Sequence, residues 1–209
     1  MADFRLIQTR TGWGRVLADL ADWIAPEPGW SALDVGCGPG FFPALLEAFG
    51  CRAFGIDLDV EMFRPKPLHA RAALANAESL PFPGGEFHLV TASNLLFLLP
   101  RPEAALQEMA RVLRVGGSLA LLNPSENLSI ALVTAYAGQR GLSGLARESL
   151  LNWAERAEAG NRWTEAELEQ LFKQAGLRLT GHILKVGPGL ARFTRGVRDS
   201  SPQGSHGTL

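Results

Sequence analysis

The chain of 209 residues holds only two cysteines, Cys37 and Cys51, and they form no C-x-x-C pair. So few thiols exclude a disulfide framework and a four-cysteine metal centre, and a reducing, cytoplasmic location is expected. An excess of charge is missing as well. The 20 lysines and arginines stand against 21 aspartates and glutamates, with no basic run, so nothing electrostatic calls for a nucleic-acid partner. Four histidines show no metal-ligand spacing, and no metal is expected. The longest uncharged apolar run, "NLLFLLP" at 94–100, is far too short to span a bilayer. The first fifteen residues carry scattered charges and no apolar core, so no secretory signal is expected. No internal repeat is present, and nothing in the sequence speaks to oligomeric state.

What is there suits one globular core. Trp13, Val16, Leu17, Leu20 and Ile24 recur on one helical face, and Pro26, Pro28 and Gly29 end that helix. "SALDVG" reads as a buried strand, "FFPALLEAF" as a helix closed by Gly50, and "CRAFGID" as a second strand. "ARAALAN" is a weaker third strand and "EFHLVTAS" a fourth. Leu106, Met109, Ala110 and Leu113 mark an amphipathic helix, expected to stop at Gly116-Gly117 before a fifth strand, "SLALLN". Thr164 and Glu167 form a T-x-x-E capping box ahead of a last helix. "LRLTGHILKV" and "LARFTRGV" flank "GPG" as a hairpin. Strands alternating with helices imply a parallel α/β sheet covered on both faces, and the hairpin brings one antiparallel strand into it.

Residues 32–42 read "ALDVGCGPGFF", with bare backbone at Gly36, Gly38 and Gly40. A tight turn needs one glycine, not three. Missing side chains let main chain approach a ligand closely, and ligands of open parallel sheets bind beyond the carboxyl ends of the strands. A dinucleotide fingerprint starting at Gly36 would place its third glycine at position 41, where Phe41 stands, and no G-x-x-x-x-G-K occurs. Asp34, just ahead of the glycines, suits a cationic ligand better than a phosphate.

These residues resemble motif I, D-x-G-x-G-x-G, of class I S-adenosylmethionine-dependent methyltransferases. The motif style is similar to that of the ubiquinone/menaquinone C-methyltransferase-like, type 11 group. The resemblance runs in order from about residue 30 to 124, through "GIDLD", "NAESLPF" and "LRVGG", and more loosely over the last helix and hairpin. It implies a three-layer α/β/α Rossmann-like sheet of seven strands, mostly parallel with the last strand antiparallel. A single domain over 1–198, a helical lid over about 125–162 with a flexible joint at "AYAGQRGLSG", and a disordered tail at 199–209 are expected.

The cofactor so implied is S-adenosylmethionine, leaving as S-adenosylhomocysteine. Asp34, Gly36, Cys37, Gly38 and Gly40 would form its loop, with Cys37 acting through backbone. Asp57 would hold both ribose hydroxyls, because a carboxylate accepts two O–H bonds at once. Leu58 would lie against the adenine, with Asn76, Ala77 and Glu78 along its edge. Ser93 and Asn94 would stand nearest the transferred methyl. The chain departs from the family pattern in having Asn76 for an aspartate, Phe87-His88 for F-D, and "NLLFLLP" where a histidine pair is common.

The acceptor is expected to be a small molecule, with the N-terminal helix and the 125–162 segment covering it. In-line displacement needs orientation rather than a fixed catalytic set, and a base only if the nucleophile must lose a proton. Candidates for such a base are His88 and His182, with Tyr136 from the lid. Asn94 begins no N-P-P-Y motif, which argues against a nucleobase amine. The alternative reading is a non-catalytic S-adenosylmethionine-binding partner or regulatory protein of the same fold.

Overall fold

Ser31–Val35 (β1) is buried at all five positions, as expected of a strand with neighbours on both sides and helices above and below. The computed structural model describes residues 3–64, 66–69 and 71–200. From residue 201 on, the expected tail lies outside them. β1 pairs in parallel with Arg52–Asp57 (β2) on one side and Phe87–Ser93 (β4) on the other. The short Ala72–Leu74 (β3) edges β2, and Leu113–Pro124 (β5) follows β4. The hairpin strands Leu177–Lys185 (β6) and Ala191–Arg198 (β7) complete an order β3-β2-β1-β4-β5-β7-β6. β7 inserts between β5 and β6 and is antiparallel to both. The fold is the expected seven-stranded Rossmann-like sheet with one reversed strand.

Period-two alternation sorts the strands onto two cores. Leu33 and Val35 of β1, Val90 and Ala92 of β4, and Leu119 and Leu121 of β5 join Pro102–Val112 (α4) and Glu165–Gln174 (α7). Ala32, Leu89, Ala120 and Leu122 face the other way, against Trp13–Ile24 (α2) and Phe41–Ala48 (α3). A third cluster gathers Phe97, Val133, Trp153, Ala154 and Leu190 under Ile130–Gln139 (α5) and Gly144–Ala159 (α6). The capping box at Thr164 and Glu167 is formed in both directions.

Three local expectations change. The amphipathic α4 ends at Val112, because Leu113 already pairs with Phe87. Residues 114–117 then bulge before Ser118 meets Leu89, so Gly116-Gly117 shapes a strand irregularity rather than a helix stop. Ahead of α2, Phe4–Arg10 forms a separate helix (α1) capped by the Asp3 side chain. The expected joint is narrower than "AYAGQRGLSG" suggests: residues 135–139 belong to α5 and only 140–143 separate it from α6.

One close approach sets how α7 seats on the sheet. A Cβ at Gly196 of β7 would stand 2.5 Å from the buried Phe172 ring and 2.9 Å from the Arg178 carbonyl. Gly196→Ala is therefore expected to destabilise the fold by about 1–3 kcal/mol, the range typical of core overpacking. Chemical denaturation would measure it, and an unchanged midpoint would contradict this packing.

Candidate functional site

The chain moves outward from β1 in both directions, to β2 and β3 on one side and to β4 and β5 on the other. A crevice opens at the carboxyl ends of the strands where that order reverses. A cleft of about 290 Å³ lies there. One wall is Gly36, Gly38 and Asp57 from the strand ends, with Ser93 closing β4 and Asn94 just after it. The opposite wall comes from α1, α2 and α6, including Phe4, Gln8, Trp13 and Trp153.

The glycine turn owes its shape to backbone that side chains disfavour. Gly36, Gly38 and Gly40 have φ of 73°, 54° and 90°. The Gly36 and Cys37 amides both donate to the Ile56 carbonyl, at 2.8 and 2.9 Å, which fastens the turn to the end of β2. Gly38 donates to Asp57 Oδ2 at 2.8 Å, while Asp59 donates to Asp57 Oδ1 at 2.9 Å. Each Asp57 oxygen thus keeps a free lone pair, on a carboxylate that lines the cleft. A Cβ added at Gly38 would meet nothing within 4 Å, so the backbone there is open to a ligand. Gly40 serves differently, since a Cβ there would stand 3.0 Å from the His69 backbone nitrogen.

Asp34 and Cys37 do not line this cleft. Asp34 is wholly buried beneath the turn, beside its register partner Thr91, whose hydroxyl donates to Asp34 Oδ1 at 2.7 Å. Its Oδ2 has no partner. Burial pushes the Asp34 carboxyl up to about 7, helped by the nearby Asp57 charge and opposed by the Thr91 bond. The Cys37 thiol is buried against Gly55, and burial, then the Asp34 and Asp57 charges, hold it protonated. It is no nucleophile, and both Cys37 and Cys51 are free thiols.

Asn94 follows β4 with φ of 56°, a left-handed backbone rare outside glycine. Its amide donates to the Leu122 carbonyl at 2.7 Å. Its side-chain oxygen accepts the Trp153 indole N–H at 3.0 Å, and Trp153 meets Trp13 edge to face at 4.9 Å. The end of β4, α6 and α2 are joined across the cleft by these three residues.

Other expected residues lie apart. Asn76 Oδ1 accepts the Glu78 amide at 3.0 Å, Glu78 pairs with Arg101, and Ala77 is buried; none of the three lines the cleft. Leu58 stands beside Asp57 but is 69% exposed. None of the candidate bases reaches the cleft either. His88 enters β4 at the end far from it, roughly 16 Å from Ser93 at 3.3 Å per residue. There it contacts Ser31 Oγ at 2.8 Å and stacks on Trp30. Burial, then the Arg114 and Arg52 charges, hold it below the usual histidine range. His182 sits on the outer strand β6 between Arg192 and Glu165, 2.8 Å from each. Tyr136 packs its ring on the hairpin turn at Gly187. Sequence reasoning missed Gln8, Asp59, Met62, Ser149, Asn152 and Arg156, all of which line the cleft. For α6 the spacing 149, 152, 153, 156 carried the signal, since it marks one helical face. No cluster of metal-ligating side chains occurs among the described residues.

The strand order and the crevice over β1 and β4 define a Rossmann-like fold of the methyltransferase kind. A family profile described as a methyltransferase domain matches residues 33–121. An uncharacterized methyltransferase of Mycobacterium marinum is 31% identical over 182 residues, covering 73% of this chain and 71% of its own. The ubiquinone/menaquinone biosynthesis C-methyltransferase UbiE of Rhizobium johnstonii is 38% identical over 112 residues, 48% of this chain. The match spans only 43% of that relative's length. In fold, the chain is similar to magnesium protoporphyrin IX methyltransferase from Synechocystis PCC 6803, solved with bound S-adenosylhomocysteine. The TM-score is 0.65 at 16% identity, over 95% of this chain and 89% of the other. The chain belongs to the class I S-adenosylmethionine-dependent methyltransferase family.

The buried acid yields a pH test. Asp34 titrates near 7 when folded against 3.8 for a free side chain, so the folded state retains its proton between those values while the unfolded chain releases it. Its contribution to stability is complete below about pH 4 and is lost as pH rises through about 7. Asp34→Asn removes this dependence. The variant should gain on wild type in melting temperature from pH 4 to 7, with the difference level above that. Parallel melting curves across the range would contradict the assignment.

Proposed function

We propose that the protein moves a methyl group from S-adenosylmethionine to a small-molecule acceptor by direct in-line displacement. The observation that carries the reading is the pairing of an open glycine backbone at 36–38 with the Asp57 carboxylate, both on one cleft wall. The group fits: Gly38 leaves room for a ligand, and both Asp57 oxygens can accept a further hydrogen bond, as two ribose hydroxyls require. Leu58, exposed next to Asp57, offers an apolar face to an adenine, with Asn76, Ala77 and Glu78 following β3. Membership of the family and the biosynthetic relative named above support a small molecule as acceptor. Two buried free thiols favour a reducing, cytoplasmic setting.

S-adenosylmethionine supplies a methyl group already activated for displacement. The work left to the chain is orientation and exclusion of water. Orientation alone can contribute roughly 7–11 kcal/mol to such a step. Asp57 and the open backbone at Gly38 would hold the donor end, Ser93 and Asn94 border the position of transfer, and Trp153 and Trp13 close the far side. α1, α2, α5 and α6 act as the lid, keeping the crevice dry while charge disperses. His88, His182 and Tyr136 take no part in this arrangement. The departures from the family pattern at His88 and "NLLFLLP" are what favour the second reading, a non-catalytic binding protein.

Melting in the presence of S-adenosylhomocysteine should rise, by about 2.7 kcal/mol of stability at one hundred times the dissociation constant. NAD should leave it unchanged; a shift with NAD alone would overturn the proposal. Labelled S-adenosylmethionine incubated with a small-molecule extract then separates turnover from mere binding. Asp57→Ala should weaken S-adenosylhomocysteine binding at least about tenfold, the loss of a charge-assisted pair of hydrogen bonds. Calorimetry showing equal affinity would remove Asp57 from the site.

A further inference from the structure

We infer that the acceptor is a small anion with an aromatic or otherwise apolar body, and that Arg156 selects it by pairing with the anionic group. The inference rests on the methyl-transfer reading and adds the chemical class of the acceptor. Away from the glycine turn, the cleft wall is apolar and largely aromatic: Phe4, Trp13, Phe97, Leu98 and Trp153. Trp153 is held in place by Asn94 and by Trp13, so this wall is preorganised for a flat, apolar group. Exposed at the edge of that wall, Arg156 is the one positively charged residue lining the cleft among the described residues.

Its charge is not consumed by the protein. Among the described residues Arg156 makes no ion pair, although eight other pairs occur. Two other arginines, neither lining the cleft, are engaged: Arg5 donates to the Lys66 carbonyl and Arg162 to the Leu128 carbonyl. Arg140 and Arg147, in the lid, do not line the cleft. Asp57 and Asp59 place negative charge on the donor side, which repels an anion there and leaves the Arg156 side as its favoured position. One turn before Arg156 on the same helical face, Asn152 adds an amide donor. A guanidinium matches a carboxylate with two parallel hydrogen bonds, which combines affinity with orientation.

The test uses two probes of nearly equal shape, phenylacetate and the neutral phenylacetamide. Each is titrated into protein saturated with S-adenosylhomocysteine, with tryptophan fluorescence as the readout. Saturation removes the donor's own carboxylate as a competing occupant. Wild type should bind phenylacetate at least about tenfold more tightly than the amide, as a charge-assisted pair implies. Arg156→Gln should reduce that preference to about twofold or less, with S-adenosylhomocysteine affinity within about threefold of wild type. Arg156→Lys, which keeps the charge but not the fork, should retain part of the preference. Equal binding of the two probes to wild type, or an undiminished preference in Arg156→Gln, would overturn the inference. So would a loss of S-adenosylhomocysteine binding in Arg156→Gln with anion preference intact, since that places the arginine on the donor's carboxylate. Failure of wild type to bind S-adenosylhomocysteine at all is distinct, and it would overturn the methyl-transfer reading on which this one stands.

Discussion

The hydrogen bond from the Gly38 amide to Asp57 ties the two halves of the site together. One partner is bare backbone after β1, the other a carboxylate at the end of β2. With the Gly36 and Cys37 amides both held by the Ile56 carbonyl, the turn is braced by the neighbouring strand in addition to its own bond from the Gly40 amide to the Cys37 carbonyl. A left-handed path through three glycines has no intrinsic reason to adopt one shape. The β2 end supplies that reason, and the acid that braces the loop is also the acid that faces the cleft. Under the proposed function, ligand recognition and loop geometry therefore depend on the same side chain.

A second tie crosses the cleft. Asn94 pays for its left-handed backbone with hydrogen bonds on both sides, to Leu122 in the sheet and to Trp153 in α6. Through Trp153 and Trp13 the end of β4 is linked to α6 and the N-terminal helices. The roots of the 125–162 segment are fixed too. Ser125 bonds the Gly189 and Leu190 carbonyls of the hairpin turn, and Arg192 pairs with Glu126 at 2.6 and 2.7 Å. What covers the cleft is thus anchored at both its tip and its base.

Asp34 shows burial and hydrogen bonding pulling in opposite directions. One oxygen is satisfied by Thr91, the other by nothing, and desolvation prevails. An acid in the first position of the glycine motif need not touch a ligand. Here it stands under the loop, where a proton rather than a cation compensates it near neutral pH.

Much of the fold was legible in the chain because it follows from local period and punctuation. The alternation of β1, β4 and β5, the helical faces of α2, α4 and α7, and the capping box at Thr164 all depend on near neighbours. So did the glycine turn and Asp57, whose spacing places them on adjacent strand ends in any sheet of this order. The limits of α4, the narrow joint of the lid and the seating of β7 against α7 depended on contacts distant in sequence. The same holds for the acceptor side. His88 and His182 are chemically suited to proton transfer, yet strand direction and edge position carry them away from the cleft. Arg156 and Gln8 look like ordinary helical surface until α6 and α1 fold over β4. Sequence alone determined the sheet, the glycine turn and its acid, because these rest on short-range pattern. Only tertiary structure decided which side chains line the cleft, because that follows from how separate helices meet above the strand ends.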